Sequence, residues 1–151
     1  MTITHPRWGA SVLATCLGVD NFVDDIHMRS GLALVDGGGR IRWSHVLSGS
    51  TYYELALTPS DKSGNVFVTY DPGRLPGVAI LRPTAQGFAW LAGFYDSGKG
   101  TREARFYNAR LGRPGADGLY TIHTQSGGCG AGCKGNPRRG YRWNGSDYVL
   151  K

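Results

Sequence analysis

Three cysteines, four histidines and two glutamates are the side chains of this 151-residue sequence best suited to nucleophilic or acid–base chemistry. A thiol hydrolase would use Cys16 as nucleophile, with His27, His45 or His123 as base and a third group to orient it. Cys16 sits in Ala14-Thr-Cys-Leu-Gly18, which supplies no charged or helix-start surroundings to activate a thiol. It reads instead as a buried apolar thiol in a first core strand or helix. A nuclease would need a glutamate base beside a phosphate-binding arginine and a histidine acid. Glu54 with His45 on facing strands, or Glu103 with Arg105 and His123, are the available sets. Neither spacing fits a nuclease pattern. Glu103 and Arg105 share one face of a strand and are set to pair with each other.

Cys129-Gly-Ala-Gly-Cys133 offers two readings. Three small intervening residues bend freely enough to bring the two Cβ atoms within disulfide distance. Closing so short a loop adds only ~2 kcal/mol in the chain-entropy picture, so the bridge would shape a loop and would imply an oxidising compartment. Zinc would need two further ligands, and only His123 is near in sequence. The expectation is a disulfide, no metal and no cofactor.

The residues for binding are more numerous. Seventeen basic against eleven acidic side chains give a formal charge of +6, which favours an anionic surface without naming one. Lys99, Arg102, Arg105, Arg110 and Arg113 form one basic section, and Lys134, Arg138, Arg139, Arg142 and Lys151 another. Asp20, Asp24 and Asp25 load the amino-terminal part. Lys134, Arg138, Arg139, Arg142 and Tyr141, flanking the Cys129 to Cys133 loop, are the expected contact residues. A solvated basic face is the plainer explanation of the same charges. Phe106, Tyr107, Tyr141, Trp143 and Tyr148 stand among these arginines, the composition of a nucleic-acid-binding strand surface that stacks bases; core packing calls for the same rings.

These residues must be carried by strands. Low charge, 24 glycines and short apolar runs exclude a coiled coil and argue against wholesale disorder, and no repeat of solenoid length is present. Residues 1–151 read as a single β-rich domain, a β sandwich or barrel of nine short strands. Leu32–Val35 and Ile41–Leu47 flank a glycine loop at Asp36–Arg40. Tyr52–Thr58 continues the pattern, Asn65–Tyr70 and Val78–Arg82 make a central pair, and Phe88–Tyr95, Ala104–Leu111 and Leu119–Thr124 follow. A helix at Trp8–Asp25 competes with a strand reading there. Residues 1–30 also carry a faint signal-like pattern ending in Leu13-Ala-Thr-Cys16, with an apolar stretch too short and too polar for a good signal. No segment is long and apolar enough to span a bilayer. Asn144-Gly145 predicts a two-residue type I′ turn pairing Trp143 with Ser146, Arg142 with Asp147 and Tyr141 with Tyr148. A four-residue turn would pair Trp143 with Tyr148 and keep the aromatic face. The Asn144-Gly-Ser146 sequon is explained by this turn chemistry.

The paired-cysteine loop Cys129–Cys133 followed by the Tyr141-Arg-Trp-Asn-Gly145 hairpin, and more loosely the strands from Val66 to Phe94, resemble the mycobacterial LppP/LprE-type lipoproteins. That resemblance implies a bacterial protein that is secreted or held at the cell envelope, and it implies a compartment rather than a reaction. The resulting expectation is a non-enzymatic exported domain that binds an anionic or protein partner. A cytoplasmic location follows instead if Cys129 and Cys133 are reduced. A basic nucleic-acid-binding β module is the alternative, and a small secreted nuclease or thiol hydrolase comes after it.

Overall fold

The computed structural model describes residues 1–22, 25–47, 54–71, 75–94, 105–124 and 138–151, with the backbone alone for 19–22 and 25–28. Every regular element among them is a strand, and the strands form three antiparallel sheets of four. The first is β1 (Thr2–His5), β2 (Gly9–Phe22), β3 (Asp25–Asp36) and β4 (Ile41–Val46). The second is β5 (Glu54–Thr58), β6 (Val66–Asp71), β7 (Gly77–Thr84) and β8 (Gly87–Ala92). The third is β9 (Ala109–Leu111), β10 (Thr121–Thr124), β11 (Gly140–Trp143) and β12 (Tyr148–Leu150). Each sheet is a simple meander in chain order.

The second sheet is the middle layer. Val66 and Val68 face Leu81 and Ala79 across the β6–β7 ladder, and these four share a core with Leu13, Leu32 and Leu34 of the first sheet. Phe67 faces Ile80 on the opposite side, where both pack with Ile122 and Tyr148 of the third sheet. A strand buried on both faces must be apolar without alternation. Val66–Val68 and Val78–Leu81 are continuous buried runs for that reason. A register shift between Ile80 and Leu81 puts Trp90 opposite Leu81 in the first core and Ala92 opposite Ile80 in the second.

Residues 9–22, part of the expected helix, are strand. Ser11 and Leu13 are buried while Val12 is 46% exposed, the period of two that a sheet with one covered face imposes. β2 pairs with β1 on one side and with β3 over twelve register positions on the other. His5 locks this sheet to the second: its Nε2 donates to Gly87 O at 3.0 Å, its Nδ1 accepts from Arg7 N at 3.3 Å, and Trp8 stacks on the ring.

At the β3–β4 turn Asp36 Oδ1 accepts from the backbone N–H of Gly38 and Arg40, and Oδ2 accepts from Arg42 Nε at 2.5 Å. The Arg40 N–H first, then the Arg42 guanidinium, hold the Asp36 carboxyl below the usual range. Of the expected strand 104–111, the described residues 105–111 are regular only over Ala109–Leu111. Asn108 at φ 55° breaks it, and the preceding residues hang on the second sheet through Val78 N to Phe106 O and Ala109 N to Pro76 O, both 3.0 Å.

The carboxy-terminal hairpin adopts the wider turn. Trp143 faces Tyr148, Arg142 faces Val149 and Tyr141 faces Leu150. Asn144 Oδ1 accepts from the N–H groups of Ser146 and Asp147, so the asparagine side chain closes the turn, and only Gly145 takes positive φ. The two-residue register is therefore corrected. The aromatic face survives, with Trp143 and Tyr148 rings 5.2 Å apart.

Candidate anion-binding face

The third sheet has one covered face and one open face. Inward lie Ala109, Ile122, Tyr148 and Phe106, all buried, with Tyr141 and Trp143 packed against them. Alternation then sends the neighbours of these residues outward. Arg110, His123 and Gly140 make one rung across β9, β10 and β11, and Thr121, Arg142 and Val149 make the next across β10, β11 and β12. His123 lies over glycines: a Cβ on Gly112 would stand 3.0 Å from its ring, and one on Gly140 3.8 Å from Nδ1. Both Arg110 and His123 are exposed.

Arg138 and Arg139 lead into β11 at the end of the sheet beside this rung, and both are exposed; by alternation Arg138 continues the open face and Arg139 stands at its edge. The Arg139 backbone is fixed, its O accepting from Thr124 N at 2.9 Å and its N donating to Thr124 Oγ1 at 3.1 Å. Among the described residues no carboxylate forms an ion pair with the side chains of Arg110, Arg113, Arg138, Arg139 or Lys151. Free guanidinium groups on a flat face attract anions and offer paired donors to carboxylate or phosphate oxygens.

The remaining predicted contact residues have other work. Arg142 is clamped to Asp117 through Nε to Oδ2 at 3.1 Å and a second contact from Nη2 to Oδ1, and its Nη1 reaches Thr121 Oγ1. It fastens the turn at 113–118, where a Cβ on Gly115 would collide with the guanidinium. The Leu119 N–H and then Arg142 hold Asp117 below the ordinary carboxylate range. Tyr141 faces inward, its ring edge-on to Phe106 at 5.2 Å. Lys134, Cys129 and Cys133, and with them the disulfide and zinc readings, lie outside the described residues.

Four of the five rings of the base-stacking reading turn toward the core. Phe106 and Tyr148 are buried, and Trp143 and Tyr141 are half-buried under Arg82 and Arg105, whose guanidinium carbons lie 4.9 and 6.0 Å from the ring centres. Arg105 also grips Asp147 with two oxygen contacts, 2.7 and 2.9 Å. Burial pushes the Asp147 carboxyl up, but Arg105 and the Tyr148 N–H outweigh it and leave it below the usual value.

The catalytic sets of the sequence are not assembled among the described residues. Cys16 is exposed rather than buried, because it falls on the outer face of the first sheet opposite Gly31. His45 points to the inner face, where it meets Trp90 at 4.9 Å. Glu54 faces Asp71 on β6, not β4. Glu103 lies outside the described residues, as do the side chains of His27 and its neighbours. No known protein family, curated protein or solved structure matches this chain.

Arg110 and His123 are the basic side chains within the strands of the outer face missing from the predicted contact set. Their signal was the strand alternation itself: Arg110 sits between Ala109 and Leu111, and His123 between Ile122 and Thr124.

Proposed function

We propose that this chain is a non-enzymatic binding domain that presents the open face of its third sheet to an anionic partner. The observation that carries the proposal is the group Arg110, Arg138 and Arg139, exposed beside His123 and without carboxylate partners among the described residues. Recognition is by charge and donor geometry, because four of the five rings that would stack bases, Phe106, Tyr141, Trp143 and Tyr148, are engaged in the core. Export belongs to the same proposal and rests on the resemblance of the Cys129–Cys133 loop and the Tyr141–Gly145 hairpin to LppP/LprE-type lipoproteins.

Backbone amide mapping with inorganic polyphosphate as probe tests the face. Shifts concentrated at 109–113, 121–124 and 138–142 support it, and shifts confined to the first sheet refute it. Thiol counting on protein from its own host tests export: one native thiol rising to three on reduction supports it, and three native thiols refute it.

A further inference from the structure

Gly140 leaves a gap in the open face of the third sheet, and basic side chains stand around it. His123 lies directly across from it on β10, with Arg110 behind His123 in the same rung. On the other side stands Lys151, one position beyond the Tyr141–Leu150 pair, its N–H donating to Gly140 O at 2.8 Å. Along the chain Arg138 and Arg142, two residues before and two after, continue the same face. Asp117 engages Arg142, so that side of the gap is neutral. Among the described residues no carboxylate pairs with the side chains of Arg110, Arg138 or Lys151.

Neither backbone nor crowding calls for glycine at this position. Gly140 is not among the residues of positive φ. A Cβ built on it would meet nothing closer than Thr121 Cγ2 at 3.7 Å and His123 Nδ1 and Cε1 at 3.8 and 3.9 Å, all ordinary contacts. Glycine weakens a strand, and one that the chain conformation does not need marks a place where a ligand comes close to the backbone.

We infer that the gap over Gly140 is a site for a single tetrahedral oxyanion, the terminal phosphate or sulfate group of an ester. The inference rests on the anion-binding face proposed above and names the group that face takes. Neighbouring strands lie about 4.8 Å apart, and residues two apart on one strand about 6.6 Å, so His123, Lys151 and Arg138 ring the gap at spans their side chains cover. Donors thus arrive from β10, β12 and β11, from three directions. A phosphate presents three terminal oxygens to meet them, as does a sulfate ester, whereas a carboxylate presents two in one plane. The Arg138 guanidinium can take two of those oxygens in parallel. On the next rung Thr121, Arg142 and Val149 leave no such opening.

Titration with inorganic phosphate and with inorganic sulfate at constant ionic strength, followed by amide shifts and calorimetry, tests the site. The expected result is one saturable site per chain with shifts centred on 123, 138–140 and 151. Gly140→Val, which fills the gap, and His123→Gln should each weaken it roughly tenfold, the loss of a charge-assisted contact. Arg40→Ser, which removes an exposed cation from the β3–β4 turn, should leave it unchanged. The ion bound more tightly names the ester. His123 is exposed, so His123→Gln should keep the native unfolding midpoint and carries the test if Gly140→Val does not fold. A native chain that binds an oligonucleotide but saturates with neither ion would overturn the site and leave the anion-binding face standing. A chain that binds none of the three would remove the face and the site with it. Affinity unchanged in both Gly140→Val and His123→Gln, or weakened as much by Arg40→Ser, would overturn it as well.

Discussion

The hydroxyl of Tyr148 is buried against the middle sheet beside Ser63 and Asn65, and among the described residues neither it nor the Asn65 Nδ2 makes a hydrogen bond of good geometry. A hydroxyl taken from water without a partner costs about 1–3 kcal/mol, so Tyr148→Phe, which keeps the ring and removes the oxygen, should stabilise the fold by an amount in that range. For a chain of this length that is a rise of roughly 2–10 °C in the unfolding midpoint. Alkaline pH gives a second signature. Burial pushes the Tyr148 phenol up from 10.0 to about 12. A phenol whose folded pKa exceeds its unfolded value contributes stability below pH 10 and loses it as pH rises toward 12. Two units correspond to about 2.7 kcal/mol. The variant's advantage over the native chain should therefore widen by up to about that amount across this interval, while the other tyrosines titrate equally in both proteins. Urea unfolding at neutral pH and in a series from pH 9 to 12 reads both effects. A Tyr148→Phe protein that is less stable by ~1 kcal/mol at neutral pH, with no widening in alkali, would show that the hydroxyl is satisfied and the reasoning wrong.

Gly77→Ala should fail to fold or lose most of its stability, since its Cβ would lie 2.2 Å from the Tyr70 ring; a soluble variant with the native midpoint would contradict that packing. Trp143→Ala, which truncates a half-buried ring, should cost about 2 kcal/mol, roughly half of what a fully buried tryptophan costs, by chemical denaturation. Asp36, Asp117 and Asp147 all sit below their usual pKa in the fold, so their contribution to stability is present above about pH 3.8 and fades as pH falls through the depressed values. Asp117→Asn should flatten the acid limb of an unfolding curve at low salt, and an unchanged limb would show that its ion pair with Arg142 carries no stability.

Several elements of this fold were readable from residue order alone because their causes are local. The middle pair β6–β7 announced itself as two unbroken apolar runs, and the β3–β4 loop as Asp36 followed by three glycines. What depended on distant partners was not readable. β2 looked equally like a helix until β1 and β3 were seen to pair with both its sides. The hairpin dipeptide Asn144-Gly145 favours two turn lengths, and the choice falls to Arg105 holding Asp147 and to Tyr148 filling the second core. The threefold succession of meanders left no sequence period, since the second strands alone run to 14, 6 and 4 residues. At the candidate face, charge was legible but its employment was not. Arg142 and Arg138 look alike in sequence, yet Asp117 holds one and leaves the other open. Tyr141 was placed with the contacts because its alternation with Arg142 does not say which of the two faces water.

Binding of a fluorescent single-stranded oligonucleotide, used only as a generic polyanion, to the native chain and to an Arg110→Ser, Arg138→Ser, Arg139→Ser variant across a salt series tests the central claim most directly. The three side chains are exposed, so the variant should keep the native unfolding midpoint. If they form the anion-binding face, the native chain binds with a salt dependence whose logarithmic slope falls by about 2 when three phosphate contacts are removed. Equal affinity and equal slope for the two proteins would contradict the claim and take the third sheet out of the function.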